Sequence, residues 1–276
     1  MLTVLFASLG SFAEEISFSI IKFKTVRGEV SIYTAGFINM LFGVLVFGAL
    51  AIIRGSFLFS FASLPTFSLR VVLEIAQVYV AMLATMKADR STYAFIRNLT
   101  IPLLLLVSWG LGYSVSLNQW MGIAVISLVL AIILITNIIN TKGIWYSLFI
   151  AINAVATISL FKYNISHFNS VEGEELVLLS ILLIFFLIGA LFKKENPLVF
   201  LKNKIFVGQG AAYAVAAIFE VFAISFGNPG IATAAQRSAA VLAAIVSGHS
   251  YFQETKLWEK IIVCLLLVVG LILLAF

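Results

Sequence analysis

The chain has 276 residues, of which 62% are hydrophobic and only 11% charged, and its formal net charge is +5. Soluble domains carry about 25% charged residues, and the charge-free runs 99–122 and 261–276 cannot be solvated at a soluble surface, so the composition excludes a soluble globular protein. The basic residues cluster between apolar segments, where membrane topology explains them better than nucleic-acid binding does, and we expect membrane lipids as partners, not nucleic acid.

Apolar segments follow one another along the whole chain. A helix that spans a bilayer needs about 20 apolar residues, and the predicted segments are 2–21, 31–53, 69–86, 91–112, 119–138, 143–163, 174–192, 204–226, 230–250 and 258–276. Helices are the structure that satisfies the backbone here, because barrel strands would alternate polar and apolar residues. The sequence therefore predicts an all-α membrane protein with ten transmembrane helices.

The two halves of the chain resemble each other. A shift of 140 residues aligns Ile16–Lys22 with Ala156–Lys162 and places Arg97 on Arg237. A shift of 138 residues then aligns Gly110, Tyr113 and Trp120 with Gly248, Tyr251 and Trp258. Each half, 1–140 and 141–276, holds five predicted helices, so the second half enters the membrane from the opposite side. Such inverted repeats are typical of secondary transporters, whose site lies near the membrane midplane between the repeats.

This pattern resembles the drug/metabolite transporter superfamily in its ten-helix, EamA-like form. The resemblance lies in the first-helix end "ISFSIIK", in the block 79–134 and in its partner 219–274. The family's Glu-Arg-Leu-Ser-like motif after the fourth helix corresponds to "YSVSLNQWMG" and "YFQETKLWEK", which keep the spacing and part of the chemistry. Glu254 matches the acidic position in the second half, where the first half has Val115 or Ser116. The resemblance implies carriage of a small organic solute.

Several polar residues lie inside the apolar segments, where they are functional candidates because each is costly unless paired or hydrated. We expect the substrate-binding or coupling residues to be Glu14, Glu15, Glu74, Gln77, Tyr79, Arg97, Asn153 and Tyr213. The two tyrosines would add an amphipathic lining. Aromatic rings near the carboxylates could also hold an organic cation.

Depth counting places Glu220 and Arg237 at one level. They lie nine residues before and eight after Pro229, the tip of a predicted helical hairpin, which is roughly 12 Å into the membrane for both. We therefore predict a structural or gating ion pair between them. Arg97 has no carboxylate at the matching level, because Val80 stands where Glu220 would be. It is left to contact an anionic ligand, pair with another helix or reach the headgroups.

Glu14 and Glu15 are adjacent, so their side chains point about 100° apart on a helix. Only one of them is expected to face a central cavity, and the other to reach a neighbouring helix or the interface. Carboxylates at this depth could carry protons or bind a cationic substrate. The alternative is purely structural, with one of them paired to Lys22 or Lys24.

No catalytic, metal-binding or cofactor-binding pattern accompanies these residues. His167 and His249 stand apart from the lone Cys264, no metal-ligand spacing occurs and no phosphate-binding glycine loop is present. We therefore expect no enzyme, no cofactor and no metal, and a small molecule as the substrate. The alternatives are a membrane enzyme, or a non-enzymatic subunit of a lipid-carrier flippase or a similar complex.

The expected location is the plasma membrane, as a multi-pass monomer with a homodimer as the alternative. Orientation is open at this point. The first, third, fifth, seventh and ninth loops carry most of the lysines and arginines, which by the positive-inside rule places both termini outside. The resemblance implies that both termini are inside the cell.

Overall fold

The computed structural model of the chain describes residues 2–110, 116–136, 138–226 and 229–275. In these residues it consists of helices and connecting turns, without a β-strand. The α-helices are α1 (Leu2–Val26), α2 (Ile32–Arg54), α3 (Leu64–Lys87), α4 (Arg90–Arg97), α5 (Thr100–Gly110), α6 (Leu117–Ile135), α7 (Ile144–His167), α8 (Val171–Phe192), α9 (Lys204–Phe226), α10 (Pro229–Phe252) and α11 (Leu257–Ala275). Tyr113 and Val115, which entered the sequence comparison, lie outside the described residues.

Length and composition identify membrane-spanning helices directly. In the described part of the chain, 7 helical segments are long and apolar enough to cross a bilayer. They are Leu2–Val26, Ile32–Arg54, Phe61–Lys87, Leu117–Ile135, Ile144–His167, Val171–Phe192 and Lys204–Phe226. The protein is therefore an all-α integral membrane protein.

Local signals set several helix ends. The Ser31 and Ser170 side chains accept hydrogen bonds from the backbone N–H groups three residues on, and so cap the starts of α2 and α8. Gly55, at φ 58°, ends α2 in the left-handed conformation that glycine adopts without strain. The third helix begins at Leu64, five residues before its predicted start at residue 69, which places Arg70 more than one turn inside the helix instead of at its second residue.

The predicted fourth segment, 91–112, is not one helix. It divides after Arg97, and the chain resumes as α5 at Thr100. Pro102 explains the break, because a proline has no N–H for the carbonyl four residues earlier and its ring clashes with that carbonyl. That carbonyl belongs to Asn98, and it accepts the Ile101 N–H instead, at 3.0 Å. Arg97 thus ends a short helix rather than lying within a long one.

The helices pack in a regular pattern. α1 lies against α9 and α10, while α7 lies against α3 and α4. α2 packs on α8 and α9, and α6 packs on α11. One buried apolar cluster joins α1, α2, α3, α8 and α9, and another joins α4, α5, α6, α10 and α11. The predicted site residues lie mainly on α1, α3, α4, α7, α9 and α10, which border one central cavity.

Candidate functional site

A cavity of about 200 Å³ lies in the centre of the helix bundle. Its charged lining residues are Glu14, Arg70, Glu74, Arg97, Glu175, Glu220 and Arg237. Polar but uncharged groups come from Gln77, Tyr93, Tyr213 and Gln236. Met40, Met82 and Leu179 are among the apolar residues that complete the wall. The cavity therefore offers charges of both signs beside an apolar surface.

Arg97 meets a carboxylate of another helix inside this cavity. Its Nη1 lies 3.5 Å from Glu14 Oε1, and its guanidinium carbon lies 4.9 Å from the centre of the Tyr93 ring. Its Nε is buried without a hydrogen-bond acceptor among the described residues. Of the three roles considered for Arg97, the structure shows the pair with another helix. The Nε–H group remains as a donor without an acceptor in the described part of the chain.

Glu220 and Arg237 both line the cavity, but they do not form the ion pair that depth counting predicted. Among the described residues, no ion pair within 4.0 Å includes Arg237. The packing of α9 on α1 supplies the reason. A Cβ atom built at Gly10 would lie 2.7 Å from Glu220 Cγ, so the stem of Glu220 lies against the backbone of α1. An equal depth along α9 and α10 therefore does not make the Glu220 and Arg237 side chains point towards each other.

Glu14 and Glu15 separate as predicted, one towards the cavity and one towards another helix. Glu14 lines the cavity, while Glu15 binds Arg90 through two hydrogen bonds, from Nε at 2.9 Å and Nη2 at 2.6 Å. Ser247 on α10 donates a further hydrogen bond to Glu15. The partner of Glu15 is therefore Arg90, not Lys22 or Lys24.

Arg90 also lies beside Glu254, the acidic residue of the segment "YFQETKLWEK". The Arg90 backbone N–H donates to Glu254 Oε1 at 2.6 Å, and the Ser91 hydroxyl donates to Glu254 Oε2. Lys260 adds an ion pair to Glu254 at 2.9 Å. A carboxylate at a helix N-terminus satisfies free N–H groups and the positive end of the helix dipole. Arg90, Glu15, Ser247, Glu254 and Lys260 form what we call the Arg90 network.

A second buried network lies near the starts of α3 and α8. Arg70 Nη1 lies 2.8 Å from Glu174 Oε1, and Arg70 Nη2 lies 2.5 Å from Glu175 Oε1. Glu74 lies 4.0 Å from Arg70 Nε. We call these four residues the Arg70 network.

Arg70, the second residue of the predicted segment 69–86, and Arg90, just before the segment 91–112, were not among the predicted site residues. Both are nevertheless buried, with 4% and 1% of their surfaces exposed. A signal for Arg70 was available. Arg70 and Glu74 are four residues apart, the spacing of a pair on one helix face. No comparable local signal pointed from Arg90 to Glu15, because their pairing joins helices that are far apart in the chain.

The remaining predicted residues divide between the cavity and its surroundings. Gln77 and Tyr213 line the cavity. Asn153 stands behind it, where its Nδ2 donates to Gln77 Oε1 and to the Leu73 carbonyl, each at 3.0 Å. Tyr79 is a correction. It lies in an outer groove with its ring 6.0 Å from that of Tyr33, because its position on α3 faces away from Gln77.

Neither a protein-family model nor a curated protein matches the chain. Its function is therefore argued from the cavity and from the two networks.

Proposed function

We propose that the protein is a secondary transporter that moves a small organic solute across the plasma membrane by alternating access. In this proposal it has ten transmembrane helices, with α4 and α5 forming one broken span, arranged as two inverted five-helix repeats, 1–140 and 141–276. It would be an EamA-like member of the drug/metabolite transporter superfamily that works as a monomer.

The packing pattern supports the repeat. If the halves correspond, α1 matches α7, α2 matches α8, α3 matches α9, the α4–α5 span matches α10, and α6 matches α11. The contact of α1 with α9 then has its counterpart in α7 with α3, and that of α1 with α10 in α7 with α4. The contacts of α2 with α8 and of α6 with α11 each map onto themselves. A two-fold relation between the halves accounts for all of these contacts.

The observation that carries the proposal is a charged cavity that has one buried ion-pair network, that of Arg70, in its wall and a second, that of Arg90, close to it. Arg70 lies near the start of α3, and Arg90 follows shortly after its end. Along an α-helix this separation is about 30 Å, the thickness of a bilayer's hydrocarbon core. Arg70 and Arg90 thus stand towards opposite ends of α3, and the cavity residue Glu14 adjoins the Arg90 network through its neighbour Glu15.

Alternating access follows if only one network opens at a time. The Arg70 network joins α3 to α8, and the Arg90 network joins α4 to α1 and to the α10–α11 region. Each network therefore connects at least one helix of the first proposed repeat to one of the second. Breaking one network while the other holds would admit solute from one side only. The drive is a solute gradient or protons.

The broken helix supports a site at this position. Binding sites of transporters with inverted repeats are typically formed by discontinuous helices near the membrane midplane. The break between Arg97 and Thr100 lies beside the cavity that Arg97 lines. Pro102 thus has a functional consequence, because it ends α4 where the arginine meets Glu14.

Counterflow in liposomes tests this function. Liposomes that contain the protein and a high internal concentration of unlabelled metabolites should accumulate labelled solute without any nucleotide. Glu15→Gln, Glu74→Gln and Arg97→Ala should each reduce the rate about tenfold or more, since each removes part of a buried pair or of the cavity lining. Lys193→Gln, at an exposed position, is the matched control.

Two outcomes would contradict the proposal. Full rates in all three variants, with correct membrane insertion, would remove the site. Activity that appears only after a second subunit is added would favour the flippase-subunit alternative.

A further inference from the structure

We infer that the cavity takes a compact zwitterion, a solute with one anionic and one cationic group beside a small apolar or aromatic side chain. The anionic group binds Arg237 and Arg97, and the cationic group binds Glu220. This inference rests on the proposed transport function and specifies its substrate class.

The anion site consists of buried guanidinium donors that the protein leaves without acceptors. Arg237 is only 3% exposed, and its Nε and Nη1 lack a hydrogen-bond acceptor among the described residues, as does Arg97 Nε. A buried charge without partners is costly. A carboxylate satisfies guanidinium groups with two or more parallel hydrogen bonds. These donors on α10 and α4 border one cavity, and the proposed anionic group lies between them.

The cation site is the Glu220 carboxylate of the same cavity, which the Gln236 side chain contacts but of which one oxygen is left without a partner among the described residues. Glu220 Oε1 is buried without a donor in the described part of the chain. Its stem lies against Gly10 of α1, and in the described residues its carboxylate forms no ion pair within 4.0 Å with Arg237. An ammonium group bound there would supply the missing hydrogen bonds, because each of its N–H groups is a donor.

The charges around Arg237 and Glu220 disfavour singly charged solutes. Glu14 pairs with Arg97 at 3.5 Å, while Glu74 and Glu175 belong to the Arg70 network. Among the described residues, the lining charges that form no ion pair within 4.0 Å are therefore those of Arg237 and Glu220. A simple anion would satisfy Arg237 but lie close to two carboxylates. A simple cation would satisfy Glu220 but lie close to two arginines. A zwitterion satisfies both residues, and the unfavourable charge rejects the other two classes.

Size and wall chemistry define the rest of the solute. The cavity volume of about 200 Å³ is below the roughly 300–1,000 Å³ of pockets for drug-sized ligands. Met40, Leu179 and Tyr213 form part of the wall and offer an apolar and aromatic surface to a side chain.

Matched triplets of probes test the inference. Each triplet contains an amino acid, its amide without the carboxylate, and its deaminated acid without the ammonium group, built on alanine, leucine or phenylalanine. Binding to the purified wild-type protein is measured by thermal stabilisation and by competition. In at least one triplet the zwitterion should bind roughly tenfold or more tightly than both singly charged probes, equivalent to about 1.4 kcal/mol.

Two charge-removing variants assign the groups. Arg237→Gln should weaken the amino acid and the deaminated acid while sparing the amide. Glu220→Gln should weaken the amino acid and the amide while sparing the deaminated acid. Lys193→Gln is the surface control. Because the wild-type preference is measured without any variant, a misfolded variant does not remove the test.

The outcomes separate the substrate class from the transport function. No binding by any amino acid, or a singly charged probe that equals the zwitterion in every triplet, overturns the inference. Counterflow of such a probe would leave the transporter proposal standing. Zwitterion binding without counterflow, measured with the same triplets in liposomes, would instead overturn the transporter and leave the zwitterion site in place.

Discussion

Lys22 and Lys162 make the same kind of contact in the two halves of the chain. The Lys22 ammonium donates to the Ala88 carbonyl at 2.6 Å, just after the end of α3. The Lys162 ammonium donates to the Ser225 carbonyl at 3.2 Å, at the end of α9. These lysines are the residues that a shift of 140 aligns, and the helices they cap are the ones that the proposed repeat pairs. The two lysines thus contact the ends of α3 and α9, the helices that the proposed repeat would relate.

Both lysines should stabilise the protein through the helix ends they cap. A cation at a helix C-terminus satisfies free carbonyls and the negative end of the dipole, and a hydrogen bond from a charged group contributes about 1.5–3 kcal/mol. We expect Lys22→Met and Lys162→Met each to lower the thermal unfolding midpoint in detergent. Lys193→Met, on an exposed residue, should leave it unchanged. A drop equal to that of the control would show that neither contact matters.

The Arg90–Glu15 pair should behave as a buried unit. Removing one partner leaves a charge without compensation and costs about 3–5 kcal/mol, whereas replacing both with apolar residues costs much less. We expect Glu15→Leu and Arg90→Leu to be more destabilising singly than together, as measured by denaturant unfolding in a double-mutant cycle. Additive effects would mean that the two side chains do not stabilise each other.

The Arg70 network should control entry to the cavity from its own end. In a Cys264→Ala background, Thr157→Cys places a thiol in the cavity wall. Adding Arg70→Ala should speed its modification by a membrane-impermeant reagent about tenfold, since the ion pairs to Glu174 and Glu175 are lost.

The control for that experiment is another arginine–glutamate pair that includes α8. Arg54 lies 2.6 Å from Glu172, but half of its side chain is exposed, and exposed pairs contribute about 0–1 kcal/mol. Arg54→Ala should therefore leave the modification rate unchanged. Equal acceleration by both variants would refute a specific role for Arg70.

Gly10 should be required for the position of Glu220. An alanine Cβ there would lie 2.7 Å from Glu220 Cγ and 3.2 Å from the Ala216 carbonyl oxygen. We expect Gly10→Ala to cost about 1–3 kcal/mol through overpacking and to reduce counterflow. Both effects have one cause, the displacement of Glu220.

Gly208 is the matched glycine, because a Cβ there meets no atom within 4 Å. Gly208→Ala within α9 should be neutral or stabilise the protein by up to about 1 kcal/mol. Thermal unfolding and counterflow check both variants. If Gly10→Ala matched Gly208→Ala in both measurements, the close packing of α1 on α9 would have no role in the site.

Part of the site was predictable because lipid makes polar residues conspicuous. Glu14, Glu74, Arg97, Tyr213, Glu220 and Arg237 were recognised as charged or amphipathic residues inside apolar segments, and they line the cavity. Arg70 and Arg90 were missed because each lies within a turn or two of a helix start, where an arginine also fits a topology signal. Burial separates these two meanings, and burial depends on neighbouring helices.

The break in the fourth segment was also within reach of sequence reasoning. Pro102 disrupts the hydrogen bond of the carbonyl four residues earlier, which is that of Asn98, next to Arg97. The predicted segment was nevertheless continuous, because the run 99–122 carries no charge and a single proline hardly changes the mean hydropathy of a long apolar segment.

The sequence by itself determined that the protein is helical and lies in a membrane, because a backbone in lipid must satisfy its own hydrogen bonds and these segments are too apolar for water. It also predicted which charges lie level with one another inside the apolar segments, because helical rise converts residue number into distance. Only the tertiary structure decided the partners. Arg97 pairs with Glu14, whereas Arg237 and Glu220 form no ion pair within the described part of the chain. The rotation of each helix about its axis is set by contacts such as that of Glu220 with Gly10. Periodicity along one helix does not specify which neighbouring helix a side chain faces.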